Sequence, residues 1–275
     1  MPSKPRLGQH LLRDTQAIQR IADALGSLTG QTIVEIGPGQ GAITGALAAK
    51  AAQVIAIELD AGLAAYLRAQ FPPERVTVVE ADVLNFDFAG VSDSVGKRIA
   101  VVGNQPYYIT SQILLKLAAN HAALDRAVLM VQREVADRIV AGPGSRDYGL
   151  LSVTVQLYGP VERLFTLPPS AFSPPPDVHS SVIRWRFAPR FGELGVDPTG
   201  FLRFVRQAFA QKRKTLANNL RAAGFSPAAI LAALPASNIQ AQARAEAVSL
   251  EEFASLWTSL EKERAASRSE AAHPK

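Results

Sequence analysis

The sequence contains no cysteine and only four histidines in 275 residues. The absence of cysteine excludes disulfides, thiolate-bound zinc and cysteine nucleophiles, and we predict no metal site. No run of about 18 apolar residues is present, so we expect no membrane-spanning helix, and the N-terminus lacks the apolar segment of a signal peptide. These absences favour a cytoplasmic protein without membrane contact.

Acidic residues are missing from one long region. None occurs between Asp197 and Glu246, and the whole chain has a formal net charge of +5 and a pI near 9.6. A positive field of this density favours a polyanion as partner. A solvated basic helix face is the alternative interpretation. From this region we take six candidate RNA-binding residues, which are Arg203, Arg206, Lys212, Arg213, Lys214 and Arg221.

Short β-branched segments alternate with helical patterns through the first part of the chain. Thr32–Ile36, Val54–Ile57, Val76–Val79 and Ile99–Val102 are the first four predicted strands, and a stretch with helical spacing follows the first, the second and the fourth. This alternation predicts an α/β fold with a parallel sheet that helices cover on both faces.

A change in composition around residues 189–198 indicates a linker. Only helical patterns follow the linker. We therefore expect a sheet domain with an N-terminal helical segment over residues 1–189, and a small all-α domain over residues 190–261. Residues 262–275 are charged and rich in Ala and Ser, and we expect them to form a flexible tail.

A glycine-rich turn, Gly37-Pro38-Gly39, follows the first predicted strand. Glycines let the backbone turn sharply into a helix and approach a ligand closely, but such a loop alone could serve a dinucleotide, a nucleoside cofactor or no ligand. Glu58 ends the second strand, where an acid can accept hydrogen bonds from both ribose hydroxyls. Asp82 ends the third strand, where it could accept a hydrogen bond from an adenine amine.

Ligands of open α/β sheets bind beyond the carboxyl ends of the strands. Three strand ends in a row that carry Gly or an acid therefore favour a binding site over ordinary surface residues. An NAD-dependent enzyme would share the glycine turn and Glu58, but it would not need Asp82 or the motif at the fourth strand. We therefore predict S-adenosylmethionine as the cofactor.

The motif Asn104-Gln105-Pro106-Tyr107 ends the fourth strand, and we assign catalytic roles to Asn104, Pro106 and Tyr107. A simple turn is the alternative interpretation, because Asn and Pro are common turn residues. The Asn104 oxygen and a main-chain carbonyl near Gln105 would accept hydrogen bonds from an adenine amine, and Tyr107 would stack on the base. Methyl transfer is an in-line displacement, so positioning contributes more than proton abstraction. The base must be unpaired or flipped out of its stack.

A proline-rich loop contains Phe172 in the segment Ala171–Pro176. We predict that Phe172 forms the second side of an aromatic sandwich around the base. The alternative is a stiff connector in which Phe172 is buried.

Together these residues make the sequence closely similar to the ribosomal RNA adenine dimethyltransferase family, and within it to the bacterial group that modifies small-subunit rRNA. The resemblance extends from about Leu7 to Trp257. The matching segments are Gly8–Leu12, Val34–Gly39, Ile57–Asp60, Ala81–Val83, Asn104–Tyr107, Gln132–Val135, Tyr148–Val153, Phe172–Pro176 and Gln211–Leu216.

The resemblance implies a Rossmann-like, class I S-adenosylmethionine-dependent methyltransferase sheet and a small helical C-terminal domain. It also implies dimethylation of two adjacent adenines in the 3′-terminal hairpin loop of 16S rRNA, during assembly of the 30S subunit. By matching position, the cofactor site contains Gln9, His10, Leu12, Gly37, Gly39, Glu58, Asp82 and Asn104.

Three positions depart from the family pattern. His10 stands where the family usually has Asn, Gln105 replaces the usual Leu, and Tyr108 replaces a frequent Asn. Two other functions stay open at this point. One is the related 23S rRNA adenine methylation of the macrolide-resistance type, and the other is an RNA-binding ribosome assembly factor with weak catalysis. We expect a monomer, because one chain carries every part that the reaction needs.

Overall fold

The computed structural model describes residues 10–104 and 107–272, with side chains as far as residue 264. Contacts within the chain divide it into two compact units. The first comprises Met1–Asp137 and Tyr158–Ala188, and the second comprises Arg138–Leu157 and Pro189–Lys275.

A seven-stranded sheet forms the centre of the first unit. In spatial order its strands are β4 (Val76–Glu80), β3 (Gln53–Glu58), β2 (Thr32–Ile36), β5 (Ile99–Asn104), β6 (Leu124–Gln132), β9 (Ser180–Arg186) and β7 (Val161–Leu167). Neighbours from β4 to β6 are parallel, whereas β9 pairs antiparallel with both β6 and β7. A separate antiparallel pair joins β1 (Leu11–Leu12) to β8 (Phe172–Ser173). The predicted α/β fold is confirmed, with an antiparallel edge added to the parallel sheet.

The central strands are buried along almost their whole length. All five residues of β2 are buried, and so are residues 99–103 of β5. Continuously buried strands are typical of a parallel sheet that is covered on both faces. Because parallel strands run in the same direction, the carboxyl ends of β2, β3, β4 and β5 lie along one edge of the sheet.

The helices of the first unit are α1 (Thr15–Ala24), α2 (Ala42–Ala48), α3 (Ala61–Gln70), α4 (Phe88–Val95), α5 (Thr110–Ala119) and α6 (Arg133–Val140), which continues into the second unit. Three of them begin at an aspartate that caps them. Asp14, Asp60 and Asp87 accept backbone N–H groups at the starts of α1, α3 and α4, which satisfies amides that the first helical turn leaves free.

The described residues of the second unit form helices that are joined by turns and loops. Its core is aromatic, since the Phe204 ring contacts the rings of Phe201, Phe225, Phe253 and Trp257 at centroid distances of 5.3 to 6.3 Å. The helices are α7 (Leu150–Leu157), α8 (Phe191–Leu194), α9 (Pro198–Ala208), α10 (Leu216–Ala222), α11 (Pro227–Ala236) and α12 (Leu250–Ala272).

Two helices of the second unit begin at a serine that caps them. Ser226 accepts the Ala229 N–H and precedes the proline that opens α11. At the start of α12, Ser249 donates its backbone N–H to Glu252 Oε2 at 2.8 Å, and Ser249 Oγ accepts the Glu252 N–H at 3.2 Å. This reciprocal pair is a capping box.

The structure differs from the sequence prediction in three places. Residues 138–157, expected in the sheet domain, belong to the second unit, because α7 contacts α9 and the Tyr148 hydroxyl donates to the Val248 carbonyl at 3.0 Å. Strand β7 was not predicted. The expected flexible tail begins inside α12, which continues to Ala272 because alanines favour a helix. In the part of the chain that the structure describes, every helix is too short or too polar to span a bilayer.

Candidate active site

The glycine turn after β2 has a backbone that other residues would strain. Gly37 and Gly39 have φ angles of 65° and 57°, in the left-handed region. A Cβ on Gly39 would also lie 2.8 Å from Leu11 Cδ2. The Gly37 N–H donates to the Ile57 carbonyl at 3.0 Å and so ties the turn to β3. The turn therefore has a fixed conformation, and because glycine has no side chain, its backbone faces the cavity at Gly37 and Gly39.

Glu58 ends β3 and is only 5% exposed. Its Oε2 accepts the Gly39 N–H at 3.1 Å, and its Oε1 accepts the Asp60 N–H at 3.0 Å. A carboxylate can accept about four hydrogen bonds, so each oxygen keeps capacity for a ligand hydroxyl. The two backbone amides therefore fix the carboxylate without saturating it.

Asp82 follows β4 and caps the short 3₁₀ turn Val83–Asn85, since its Oδ1 accepts the Leu84 N–H at 2.9 Å. This hydrogen bond sets the direction of the carboxylate. Asp82 lines the same cavity as Glu58 and keeps acceptor capacity for a donor of a ligand.

Asn104 ends β5, and its side chain is oriented by His10. The Asn104 Nδ2 donates to the His10 carbonyl at 3.2 Å. With the nitrogen engaged, Oδ1 is the atom that is left to accept a hydrogen bond at the cavity. His10 is held in turn, because its Nδ1 lies 2.9 Å from the Pro174 carbonyl. The substitution of His for the usual Asn therefore leaves this backbone contact in place.

Tyr107 lies on a single 3₁₀ turn, Tyr107–Ile109, that leads into α5. Its ring lies against the His10 ring, with centroids 6.2 Å apart and planes inclined by 23°. Its hydroxyl hydrogen-bonds to Ser180 Oγ on β9. Burial raises the pKa of the phenol above its usual value, although the hydrogen bond with Ser180 opposes this, so Tyr107 stays protonated at neutral pH.

The strand ends enclose a cavity of about 290 Å³. This volume is close to the lower end of the range of small-molecule sites, which is about 300–1,000 Å³. The cavity is lined by every predicted cofactor residue that the structure describes, and by Tyr107. These cofactor residues are His10, Leu12, Gly37, Gly39, Glu58, Asp82 and Asn104. Gln9 and Pro106, also predicted at the site, lie outside the described residues.

Phe172 does not have the position that the sequence analysis predicted for it. Its side chain is only 4% exposed, packs in the hydrophobic core and does not line the cavity. The cause is a strand pairing between segments far apart in sequence, since β8 aligns Phe172 with Leu12 of β1. This geometry favours the alternative of a buried Phe in a stiff connector, and the ring is not presented for stacking on a base.

Glu35, a residue with no role predicted from the sequence, also lines the cavity. Its carboxyl is 1% exposed, and Oε2 accepts the Thr44 hydroxyl at 2.6 Å. Burial raises the pKa of Glu35 to about 7, and the charge of Glu58 adds to the shift while the hydrogen bond from Thr44 opposes it. An acid inside the apolar strand β2, two residues before Gly37 of the glycine turn, was the signal that could have identified it.

Three exposed apolar side chains also line the cavity, namely Leu59, Tyr66 and Tyr108. Tyr108 is 66% exposed and is the residue that replaces a frequent Asn of the family. Flat or apolar surface at the border of a polar cavity suits a ligand with planar rings.

The predicted RNA-binding residues all lie in the second unit, in residues 203–221, which we call the basic segment. Arg203 and Arg206 are on α9 and Arg221 is on α10, whereas Lys212–Lys214 form the connection between these helices. All six side chains are exposed, and none forms an ion pair with a carboxylate among the described residues.

The connection between α9 and α10 is fixed by a buried amide. Asn219 is 3% exposed, and its Nδ2 donates to the carbonyls of Ala208 at 2.7 Å and Gln211 at 3.2 Å. The Lys214 N–H also donates to the Gln211 carbonyl at 3.0 Å. Lys212, Arg213 and Lys214 are therefore carried by a backbone with a defined conformation.

The cavity suits S-adenosylmethionine on its own chemistry. Glu58 and Asp82 offer carboxylate acceptors for hydroxyl and amine donors, and the glycine turn allows a ligand to approach the backbone closely. Ile57 and Val83 supply apolar walls beside these acids. The donor set and the shape therefore fit a nucleoside cofactor.

Comparison with known proteins agrees with this geometry. The model of the family described as ribosomal RNA adenine dimethylase matches residues 2–262. This chain belongs to the ribosomal RNA adenine dimethylase family. It is a methyltransferase of rRNA adenines, and S-adenosylmethionine is its methyl donor.

Two relatives within the family are similar over most of their length. The ribosomal RNA small subunit methyltransferase A of Acidobacterium capsulatum is 58% identical, and the match covers 94% of this chain and 91% of that protein. The protein of the same description from Koribacter versatilis is 48% identical, with 94% of this chain and 95% of that protein covered.

Two solved structures are similar in fold to this chain. The 23S rRNA methyltransferase ErmE is 26% identical with a TM-score of 0.71, and the match covers 91% of this chain and 99% of that one. A dimethyladenosine transferase from Plasmodium falciparum has a TM-score of 0.76 at 22% identity, covering 93% and 98%, and shows a common fold.

Proposed function

We propose that this protein dimethylates two adjacent adenines in the 3′-terminal hairpin loop of 16S rRNA, on the immature 30S subunit. The observation that carries the proposal is the orientation of Asn104. Its Nδ2 is engaged by the His10 carbonyl, which leaves Oδ1 to accept a hydrogen bond from an adenine amine at the cavity. An acceptor at this place makes the amine nitrogen more nucleophilic.

S-adenosylmethionine, when bound, supplies an electrophilic methyl group on a sulfonium. The chain contributes position and polarity. Glu58 and Asp82 would hold the nucleoside part through their free acceptor capacity, while Gly37 and Gly39 let it approach the backbone. Asn104 would orient the target amine, and Tyr107 would stack on the base. A positioned displacement of this kind needs no strong base.

Gln9, His10, Leu12 and Pro106 complete the proposed site by family position. His10 supports this role through its carbonyl contact with Asn104 and its own contact with Pro174. The main-chain carbonyl near Gln105, predicted as a second acceptor for the amine, lies outside the described residues.

The basic segment would bind the rRNA backbone. Its six cations are exposed and lack carboxylate partners among the described residues, so their charge is available to phosphates. The same charge would favour association with a ribosomal particle over a neutral surface.

The relatives support the small subunit as the target. Two proteins that cover nearly all of this chain at 58% and 48% identity are described as small subunit methyltransferases, whereas the large-subunit enzyme ErmE is 26% identical. We also propose a cytoplasmic monomer, because this sequence itself supplies the acceptors of the cavity and the cations of the basic segment that the reaction needs. Light scattering of the purified protein tests the monomer.

The deciding experiment offers labelled S-adenosylmethionine with two substrates, undermethylated 30S particles and naked large-subunit rRNA. We expect label in the 30S particles, on two neighbouring adenines of the 3′-terminal hairpin when the products are mapped. Label in the large-subunit rRNA alone overturns the proposed target. If the protein binds 30S particles but transfers no methyl group under saturating cofactor, the proposed activity is wrong and the protein is a ribosome assembly factor.

A further inference from the structure

The ring of Tyr107 is held at both ends. Its Cα lies on the turn Tyr107–Ile109, and its hydroxyl hydrogen-bonds to Ser180 Oγ. A short 3₁₀ turn is a weak support for a large side chain, because it has few hydrogen bonds of its own. The contact at the hydroxyl therefore contributes strongly to the orientation of the ring.

Ser180 is a rigid attachment point for this hydroxyl. The residue is 0% exposed, and it pairs with Gln132 of β6 on one side and with Leu167 of β7 on the other. Next to it, the Arg133 N–H donates to the His179 carbonyl at 3.0 Å. Strands on both sides therefore fix the backbone of Ser180, and the close packing around its side chain fixes the hydroxyl.

Tyr107 and Asn104 share His10 as a neighbour. The His10 ring lies against the face of Tyr107, and the His10 carbonyl accepts the Asn104 Nδ2. His10 therefore links the orientation of the Tyr107 ring to that of the Asn104 side chain. A change in the tilt of the Tyr107 ring would move the base that stacks on it relative to Asn104.

We infer that Ser180 is a positioning residue for methyl transfer, which holds the Tyr107 ring at the tilt that aligns the target adenine with Asn104. The inference rests on the stacking role proposed for Tyr107. In-line displacement depends steeply on alignment, and a displacement of about 1 Å can cost about a hundredfold in rate. Ser180 acts only through Tyr107, so its loss should affect turnover and leave cofactor binding unchanged.

The next residue of β9 provides a matched control. Ser181 is also 0% exposed, and its hydroxyl lies 2.9 Å from the Thr166 hydroxyl of β7. Because side chains alternate along a strand, Ser181 points to the opposite face from Ser180. Both serines are buried and both bond to another hydroxyl, but only Ser180 contacts the proposed reaction centre.

The experiment compares Ser180→Ala, Tyr107→Phe, the double variant and Ser181→Ala in the full chain with 30S particles as substrate. We expect kcat to fall about tenfold in Ser180→Ala and in Tyr107→Phe, and no further in the double variant, because both changes break the same hydrogen bond. The dissociation constant of S-adenosylmethionine should not change. Ser181→Ala should keep kcat within about twofold.

A second measurement does not depend on activity. With ¹³C-labelled tyrosine, the ring resonance that disappears in Tyr107→Phe is assigned to Tyr107, and it should shift in Ser180→Ala and stay in place in Ser181→Ala. Additive losses in the double variant, an equal loss in Ser181→Ala, or an unshifted resonance would each overturn the inference. If the wild-type protein transfers no methyl to 30S particles, the proposed function fails, and the resonance still decides whether Ser180 holds the ring.

Discussion

Polar side chains are fixed by hydrogen bonds in the cavity of the first unit, whereas the charged side chains of the basic segment in the second unit are exposed and form no ion pairs with carboxylates among the described residues. In the cavity, Glu58, Asp82 and Asn104 each hydrogen-bond to nearby backbone, and each keeps an acceptor for a ligand. In the basic segment, six cations are exposed and have no carboxylate partner among the described residues.

The difference follows from what each region has to recognise. A methyl transfer needs atoms at fixed positions, so the cavity groups are oriented before any ligand arrives. Phosphate contacts depend mainly on charge and are screened by salt, so exposed and unpaired cations are sufficient. Changes in the cavity should therefore act on turnover or cofactor affinity, and changes in the basic segment should act on RNA affinity and its salt dependence.

The largest effect is expected for Asn104→Ala, which removes the proposed acceptor of the target amine. We expect kcat to fall about a thousandfold, at the upper end of the losses seen when one charge-stabilising group is removed. Binding of 30S particles should be nearly unchanged, because the basic segment is intact. Single-turnover methylation together with a particle-binding assay measures both quantities.

Asn104→Asp is the matched control for this change. It keeps an oxygen acceptor but loses the Nδ2 donor that the His10 carbonyl accepts. We expect it to retain more activity than Asn104→Ala and less than the wild type. Wild-type turnover in Asn104→Ala would contradict the role of Asn104. It would also show that turnover does not depend on groups that the cavity holds in fixed orientations.

The second largest effect is expected for Glu35, whose burial should lower the free energy of unfolding at alkaline pH. The carboxyl has a pKa near 7 in the folded chain against 4.5 as its ordinary value, so the folded state holds the proton more tightly. The stabilisation is complete below pH 4.5 and is lost as the pH rises through 7. Glu35→Gln should abolish this loss and be more stable than the wild type at pH 8, by at most about 3 kcal/mol.

Urea unfolding between pH 5 and pH 8 measures the effect, with Glu80→Gln as an exposed control. The Glu35→Gln amide can still accept the Thr44 hydroxyl, so packing should be preserved. Identical slopes of unfolding free energy against pH in the wild type and Glu35→Gln would contradict the raised pKa.

The arrangement of the cavity was largely predictable from sequence because it depends on strand ends. Gly37, Glu58 and Asp82 follow successive parallel strands, and such strands must end at one edge of the sheet. The alternation of short apolar runs with helical patterns predicts those strands without any knowledge of tertiary contacts. The helix caps at Asp14 and Ser249 were predictable for a similar reason, since they depend on residues close in sequence.

Features that depend on long-range packing were not predictable. Strand β7 lies at the sheet edge and exposes Glu162 and Arg163, so it lacks the continuous apolar pattern of a central strand. Residues 138–157 join the second unit through contacts of α7 with α9. Phe172 is buried because β8 pairs with β1, which are separated by more than 150 residues. Local sequence contains no signal for any of these contacts.

A smaller effect is expected for Glu58→Gln. The amide would present an N–H group to the backbone N–H of Gly39 or Asp60, which are both donors. We expect the dissociation constant of S-adenosylmethionine to rise about 10- to 100-fold, as measured by calorimetry. Glu80 is the register neighbour of Glu58 on β4, is exposed, and lies 3.7 Å from Arg68. Glu80→Gln should leave the affinity for S-adenosylmethionine unchanged. Equal losses of affinity in both variants would contradict a specific role of Glu58 in cofactor binding.

The smallest effect at physiological salt is expected when Lys212, Arg213 and Lys214 are all changed to Gln. Each phosphate contact contributes about 0.7 to 0.9 to the slope of log affinity against log salt, so the slope should fall by about 2 to 3. Lys50→Gln is the control, since Lys50 is paired with Asp23 at 2.8 Å in the first unit. Filter binding of 30S particles over a salt series measures the slope. Turnover at saturating substrate should stay near the wild-type value, and a large fall in kcat would mean that the basic segment also positions the base.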